Sequence, residues 1–253
     1  LTQRSPVSQH SLHRKARRLV PALLAWYANH ARDLPWRRTY DPYAIWVSEI
    51  MLQQTQVATV IPYWQRWLAA LPTVRKLARA REQTLLRLWS GLGYYSRARR
   101  LGEAARLIVR HHSGCLPNDP DILQSLPGIG RYTAGAIASI AYNQPAPIVD
   151  GNVARVLSRL HAPSAPKKKE LWIMAELLIT AAHATCRRRA CANFNQAIME
   201  LGATLCTPRQ PACAHCPLKR SCAGHRKGDP AAYPRPTRRV GQHHRRVLAF
   251  IAH

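Results

Sequence analysis

Apolar residues recur at intervals of three and four along most of this chain, which is the spacing of amphipathic α-helices. The first group consists of Leu19, Leu23, Leu24 and Tyr27. A long second helix is predicted from Trp46 to Ile61, ending near Pro62, and the other groups lie within residues 85–88, 101–108, 137–141, 153–160, 171–178 and 198–201. Prolines and glycines mark the joins between these groups. The pattern therefore predicts an all-α protein.

The two ends of the chain differ from this helical body. Residues 1–17 are basic and lack a clear amphipathic pattern, so we interpret them as a basic arm rather than a transit peptide of the mitochondrial type. Residues 226–245 are basic and rich in proline, which indicates a linker. Residues 246–252 predict the first strand of a further domain.

Charge narrows the class of partner. The chain has 38 Lys and Arg against 12 Asp and Glu, a formal net charge of +26. This balance favours a polyanionic partner, most often nucleic acid. A membrane-spanning helix is not expected, because the longest weakly charged run contains Gln53, Gln54 and Gln56. The odd number of cysteines, seven, favours a reducing compartment over a disulfide framework.

Two acidic residues stand almost alone in this basic chain. Glu49 is the only formal charge between Ala44 and Gln65, and Asp150 is the only one between Tyr132 and Ala154. An isolated, buried carboxyl group tends to keep its proton, which suits a general acid, and a second carboxylate suits an electrostatic stabiliser. The alternatives are a solvent-facing Glu49 on an amphipathic helix and Asp150 as a helix N-cap.

Four cysteines form a compact group near the carboxyl end. They are separated by six, two and five residues. Four thiolates bind tetrahedral zinc or an iron–sulfur cluster, and the spacing leaves both open. The group consists of Cys206, Cys213, Cys216 and Cys222.

A glycine hairpin precedes the helix predicted near residue 137. In Leu126-Pro127-Gly128-Ile129-Gly130 the glycines permit a tight turn that exposes backbone N–H groups at a helix start, where a phosphate can bind. This is the pattern of a helix–hairpin–helix DNA-binding motif, with an ordinary helix–helix turn as the alternative.

Taken in order, the hairpin, the Asp150 segment and the cysteine loop resemble the endonuclease III-like superfamily of DNA glycosylases. Finer motifs resemble its MutY family of adenine DNA glycosylases, over roughly residues 18–225. These motifs are LPWR at 34–37, SEIMLQQTQV at 48–57, GLGYYSR at 91–97, VDGNV at 149–153, FNQA at 194–197 and ELGA at 200–203.

The resemblance implies two helical domains with DNA bound in the cleft between them. A six-helix domain with the hairpin would comprise residues 40–145, and an iron–sulfur cluster domain would comprise residues 18–39 and 146–225. The resemblance also implies that the four cysteines bind a 4Fe–4S cluster.

The reaction that the resemblance implies is removal of adenine mispaired with 8-oxoguanine or guanine in base excision repair. Glu49 would protonate the flipped adenine, and Asp150 would stabilise the oxocarbenium-like sugar. Tyr132 and Asn152 match positions that hold these carboxylates and the sugar. Residues matching the adenine pocket are Trp36, Arg37, Leu52 and Glu200, and those matching side chains that enter the duplex are Gln54 and Tyr94. Without the resemblance, each of these residues has an ordinary structural interpretation.

Tyr132 also separates branches of the superfamily. Bifunctional relatives carry a lysine there, whose amine attacks the sugar; a phenol forms no Schiff base, so we predict a monofunctional glycosylase. The alternatives are a thymine- or uracil-mismatch or oxidised-pyrimidine glycosylase, and a non-catalytic iron–sulfur protein that binds DNA.

The expected partner is duplex DNA with an adenine:8-oxoguanine or adenine:guanine mispair, bound by a monomer in the bacterial cytoplasm or nucleoid, or in a eukaryotic nucleus or mitochondrion. Full-length relatives have a further carboxyl-terminal domain that helps to recognise the oxidised guanine. We therefore expect this chain to prefer 8-oxoguanine over guanine less strongly.

Overall fold

The computed structural model describes residues 9–162 and 166–234. All regular structure in these ranges is helical, which confirms the all-α prediction. The α-helices are α1 (Gln9–His30), α2 (Pro42–Leu52), α3 (Val57–Ala70), α4 (Val74–Arg79), α5 (Glu82–Trp89), α6 (Ser96–His111), α7 (Pro120–Ser125), α8 (Arg131–Ile140), α9 (Gly151–His161), α10 (Lys168–His183), α11 (Ala190–Thr204) and α12 (Ala223–Arg226).

The helices enclose two hydrophobic cores. Helices α2–α8 surround the first core, in which Trp46, Trp67 and Trp89 are fully buried. Helices α1, α9, α10 and α11 surround the second, and one face of α8 contributes Ala136 and Ile140 to it. Helix α8 therefore belongs to both cores. The domain boundaries predicted near residues 40 and 145 stay predictions.

The predicted long second helix is two helices, so that prediction is wrong. Helix α2 ends at Leu52 and α3 begins at Val57. Gln54, between them, has a left-handed backbone with φ 56°, which no α-helix accommodates. Pro62 lies inside α3 rather than at its end.

Helices α4 and α7 were not predicted, because six residues hold too little periodicity to detect. Both are capped by a polar side chain at the N-terminus. Thr73 Oγ1 accepts a hydrogen bond from Lys76 N at 3.2 Å at the start of α4, and Asp119 Oδ1 accepts one from Asp121 N at 2.8 Å at the start of α7.

The chain ends also differ in part from expectation. Helix α1 begins at Gln9, so the second half of the predicted arm is helical, and Ala16 is buried in the second core. Tyr233, within the predicted linker, is buried and accepts a hydrogen bond from Arg159 Nε at 3.0 Å. The described residues do not include residues 1–8 of the arm, residues 235–245 of the linker or the predicted strand at 246–252.

None of the helices in residues 9–162 and 166–234 combines the length and the apolar character needed to cross a membrane.

Candidate active site

A cavity of about 670 Å³ opens where the two cores meet. Its walls come from the segment before α2, from α2 itself, from the turns before α3 and α6, and from α8, α9 and α11. Ten residues predicted from the sequence line it: Trp36, Arg37, Glu49, Leu52, Gln54, Tyr94, Tyr132, Asp150, Asn152 and Glu200. The fold thus brings side chains up to 164 positions apart, Trp36 to Glu200, to one place.

Glu49 lies on the buried face of α2 and is only 6% exposed. Burial raises the pKa of its carboxyl group from 4.5 to about 7. The neighbouring Tyr132 hydroxyl and the Arg37 charge oppose this shift, and the Asp150 charge adds to it. The solvent-facing interpretation of Glu49 is therefore wrong, and the side chain is able to carry a proton near neutral pH.

Asp150 is the N-cap of α9 and lines the cavity at the same time. Its carboxylate accepts hydrogen bonds from Val153 N at 2.6 Å and from Asn152 Nδ2 at 3.2 Å. Burial raises the pKa of Asp150, while these hydrogen bonds and the Arg155 charge oppose the shift. The site thus supports the anion of Asp150 with more partners than it provides for Glu49.

Tyr132 enters the cavity from the first turn of α8. Its hydroxyl lies 3.1 Å from Met199 Sδ on α11. Burial raises the pKa of the phenol well above its usual value, and the charges of Glu49 and Asp150 raise it further. Tyr132 therefore stays protonated and neutral between the two carboxyl groups.

Glu200 also lines the cavity, and two arginines pair with it there. Its carboxylate accepts a bidentate pair from Arg32, at 2.7 and 2.9 Å, and a third hydrogen bond from Arg37 Nη2 at 2.8 Å. Burial acts to raise the pKa of Glu200, but these two guanidinium groups outweigh it and lower the pKa to about 2. Glu200 is thus a fixed anion. Trp36, packed edge-to-face against Trp64, lines the same cavity.

Gln54 and Tyr94 lie at the mouth of the cavity. Both are exposed, Tyr94 by 64%, and both have left-handed backbones, with φ 56° and 47°. Such a conformation is costly for a residue other than glycine and is concentrated at functional sites. Leu52, which is half-buried and lies between Glu49 and Gln54 in the sequence, also lines the cavity.

The hairpin glycines lie apart from the cavity, in the turn between α7 and α8. Gly128 has φ +80°, and a Cβ atom there would lie 2.9 Å from Arg100 Cβ, so the turn requires glycine. Gly130 is the N-cap of α8, and a Cβ atom there would meet nothing within 4 Å. The open surface at Gly130 leaves room for another molecule beside the start of a helix.

The four clustered cysteines follow α11 in the loop that leads to α12. Burial raises the pKa of the Cys216 thiol to about 11, and the charges of Cys206, Cys222 and Cys213 raise it as well. The four sulfur atoms therefore lie close to one another. Arg159 Nη1 lies 3.3 Å from Cys206 Sγ. In the described parts of the chain, no three Cys, His, Asp or Glu side chains are close enough to share one metal ion. A set of four thiols with a buried cation beside it fits an anionic iron–sulfur cluster, which is larger than a single ion.

Among the further residues that line the cavity, the sequence analysis assigned no role to Arg32, Arg97 and Met199. Arginines are abundant in this chain, and nothing in the spacing of Arg32 or Arg97 separates them from the others. The only available signal was their position beside recognised motifs: Arg32 precedes the LPWR motif, and Arg97 is the last residue of the GLGYYSR motif.

Known proteins share the part of the chain that contains the two cavity carboxyl groups and the hairpin. Residues 47–178 match the model of the family described as "HhH-GPD superfamily base excision DNA repair protein". This chain belongs to that superfamily. The matched range contains Glu49, the hairpin and Asp150.

Relatives place the chain within one branch of the HhH-GPD superfamily. It is 49% identical over 219 residues to the adenine DNA glycosylase of Rattus norvegicus, covering 81% of this chain and 41% of that protein. It is 44% identical over 224 residues to the adenine DNA glycosylase of Mycobacterium tuberculosis, covering 85% of this chain and 70% of that protein. The chain thus spans about two fifths of the length of its mammalian relatives.

The fold is shared with other members of the superfamily. A solved structure of a thermostable thymine-DNA glycosylase superposes with a TM-score of 0.76 at 27% sequence identity, covering 86% of this chain and 99% of that one.

Proposed function

We propose that this chain cleaves the N-glycosidic bond of adenine in duplex DNA. The observation that carries the proposal is Glu49, a carboxyl group with a pKa near 7 in the wall of a cavity that Asp150 also lines. Relatives named adenine DNA glycosylases and the net charge of +26 support a DNA substrate.

The first step is extrusion of the adenosine nucleotide from the duplex, because the bond is out of reach inside the base stack. A cavity of about 670 Å³ is large enough for the extruded nucleoside. Gln54 and Tyr94, exposed at its mouth, enter the space that the nucleotide leaves. Trp36, Leu52 and the Glu200–Arg37 pair surround the base.

In the chemical step Glu49 donates its proton to a ring nitrogen of adenine, and the bond between C1′ and the base breaks with both electrons going to the base. The sugar develops positive charge at C1′, which the carboxylate of Asp150 stabilises; Asn152 Nδ2 donates a hydrogen bond to this carboxylate, and Tyr132 lines the same cavity. Water adds to C1′ and returns a proton to Glu49. The products are adenine and an abasic site.

The reaction stops at the abasic site. A strand break by β-elimination needs an amine that forms a Schiff base with the sugar, and Tyr132 offers a neutral phenol at the matching position. We infer that the enzyme is monofunctional.

More specifically, the proposed substrate is adenine opposite 8-oxoguanine or guanine, and the chain acts on it as a monomer.

The four clustered cysteines, Cys206, Cys213, Cys216 and Cys222, would hold a 4Fe–4S cluster. The cluster would fix the shape of the loop after α11. Arg209, Lys219 and Arg220, on that loop, then contact the phosphate backbone. This role needs only the shape of the loop and its positive charge.

A thymine-mismatch glycosylase is the second candidate, favoured by the similarity to the solved thymine-DNA glycosylase. The buried acid argues for adenine, because a purine base becomes a better leaving group when one of its ring nitrogens is protonated.

The test is a single-turnover excision assay with end-labelled duplexes that carry adenine:8-oxoguanine, adenine:guanine, adenine:thymine or thymine:guanine. Cleavage at adenine is expected only after alkali treatment, for the first two duplexes. Excision of thymine instead would support the second candidate, and nicking without alkali would contradict monofunctional chemistry. DNA binding without any excision would leave a non-catalytic DNA-binding protein.

A further inference from the structure

We propose that Arg97 is a positioning residue that holds the two rim loops, residues 53–55 and 92–94, at a fixed separation so that Gln54 and Tyr94 enter the duplex together. This inference rests on the proposed function. Arg97 lies in the first turn of α6 and is only 8% exposed.

The guanidinium group of Arg97 makes six hydrogen bonds, two to the last turn of α2 and two to each of the rim loops. Nη1 donates to the carbonyl oxygens of Ile50, Met51 and Gln53, at 3.0, 3.1 and 2.5 Å. Nη2 donates to Thr55 Oγ1 at 3.3 Å and to the carbonyl oxygens of Leu92 and Gly93 at 3.1 and 3.2 Å. One planar group thus binds both sides of Gln54 and the residue just before Tyr94.

These acceptors explain how a buried charge is tolerated. The carbonyls of Ile50 and Met51 belong to the last turn of α2, where they lack helical N–H partners and carry the negative end of the helix dipole. No ion pair in the described residues involves Arg97. Its Nε is buried without a hydrogen-bond partner among those residues. An apolar side chain would avoid the cost of burying this charge. We therefore attribute the presence of Arg97 to its hydrogen bonds with the two loops.

The two loops need such support because each contains a strained residue. Gln54 and Tyr94 are both left-handed, and conformations of this kind persist only where the surroundings enforce them. The Arg97 guanidinium also lies 5.6 Å from the centre of the Tyr94 ring and 5.2 Å from that of Trp89. The same group therefore orients the Tyr94 side chain and its backbone.

The test compares Arg97→Gln and Arg97→Lys with a matched control, Arg110→Lys, an exposed arginine near the end of the same helix. Lysine keeps the charge but not the planar fork that spans both loops. We expect both Arg97 variants to excise adenine from an adenine:8-oxoguanine duplex about tenfold to a hundredfold more slowly in single turnover, with the control unchanged.

A second substrate separates positioning from general damage to the fold. When the adenine faces an abasic analogue it is already unpaired, so less work remains for the rim loops. The Arg97 variants are expected to recover most of the wild-type rate on it. A fluorescent adenine analogue at the target position should also show less unstacking by the variants than by wild type on the paired duplex. Equal losses on both substrates, or no loss on either, would overturn the proposal.

A third measurement does not depend on the Arg97 variants folding. Gln54→Ala, Tyr94→Ala and the double variant are compared with Arg97 intact. If one group couples the two loops, the double variant departs from the product of the single effects by about fivefold or more. Independent effects would contradict the inference, whereas absence of adenine excision by the wild-type chain would refute the proposed function itself.

Discussion

Two glutamates that line the cavity are both buried, and their pKa values are shifted in opposite directions. Among the described residues no cation donates a hydrogen bond to Glu49, and its pKa is raised to about 7. Glu200 accepts three side-chain hydrogen bonds from Arg32 and Arg37, and its pKa is lowered to about 2. Burial acts in the same direction on both, so the partners decide which glutamate keeps a proton. The comparison separates a candidate acid from a structural anion.

The largest effect is expected from Glu49→Gln. Glutamine keeps the shape but cannot donate an acidic proton, so adenine excision at pH 7 should fall by about 10²–10⁴. The measurement is single-turnover excision from an adenine:8-oxoguanine duplex. Glu176→Gln, on the exposed face of α10, is the matched control and should excise at the wild-type rate. A fully active Glu49→Gln variant would remove Glu49 from its assigned role.

Removing the charge of Glu200 should act mainly on stability. Glu200→Gln leaves Arg37, which is 13% exposed at its side chain, without its anion. Breaking a buried ion pair in this way should cost about 3 kcal/mol and lower Tm by roughly 6–12 °C. Thermal unfolding followed by circular dichroism measures the shift, again against Glu176→Gln. An unchanged Tm would mean that Glu200 is not the structural anion described above.

The contribution of Glu49 to the stability of the folded protein should also depend on pH. Glu49 has a folded pKa of about 7 against 4.5 unfolded, so the folded state holds the proton more tightly. Its contribution to stability is therefore greatest below pH 4.5 and is lost as the pH rises to 7. Glu49→Gln removes this loss and should be more stable than wild type at pH 8 by about 3 kcal/mol, with little difference near pH 4.5. Denaturant titrations at the two pH values test it, and a constant difference would contradict the raised pKa.

The smallest effect is expected from Arg32→Lys. Lysine replaces the bidentate pair to Glu200 with a single charge contact, which should lower the free energy of unfolding by about 1 kcal/mol. Arg38→Lys is the control, because the Arg38–Asp33 pair is 69% exposed on both sides and should contribute almost nothing. If the two substitutions cost the same, the Arg32 contact is no more than a surface ion pair.

Much of the fold followed from periodicity, because long amphipathic helices such as α1 and α6 repeat their apolar face several times. The break between α2 and α3 could not be predicted from periodicity. No glycine or proline marks residues 53–55 as a break, and the left-handed backbone of Gln54 is supported by contacts of Arg97 with Gln53 and Thr55. A propensity argument cannot detect a conformation that a distant side chain imposes.

The candidate site was predictable to the extent that its residues lie in continuous motifs. Glu49 and Asp150 stood out because nothing charged lies near them in the sequence. Arg32 did not stand out, because its partner Glu200 is 168 residues away. The sequence suggested that Glu200 lines the adenine pocket, and the structure adds that Arg32 and Arg37 hold its carboxylate.

The pH dependence of single-turnover adenine excision tests the central claim most directly. With Glu49 as the proton donor, the rate for the wild-type chain should fall as the pH rises through about 7, because the acid loses its proton. The residual activity of Glu49→Gln should lack that decline. A wild-type rate that stays constant from pH 6 to pH 9, or a Glu49→Gln variant with the same decline, would contradict the account.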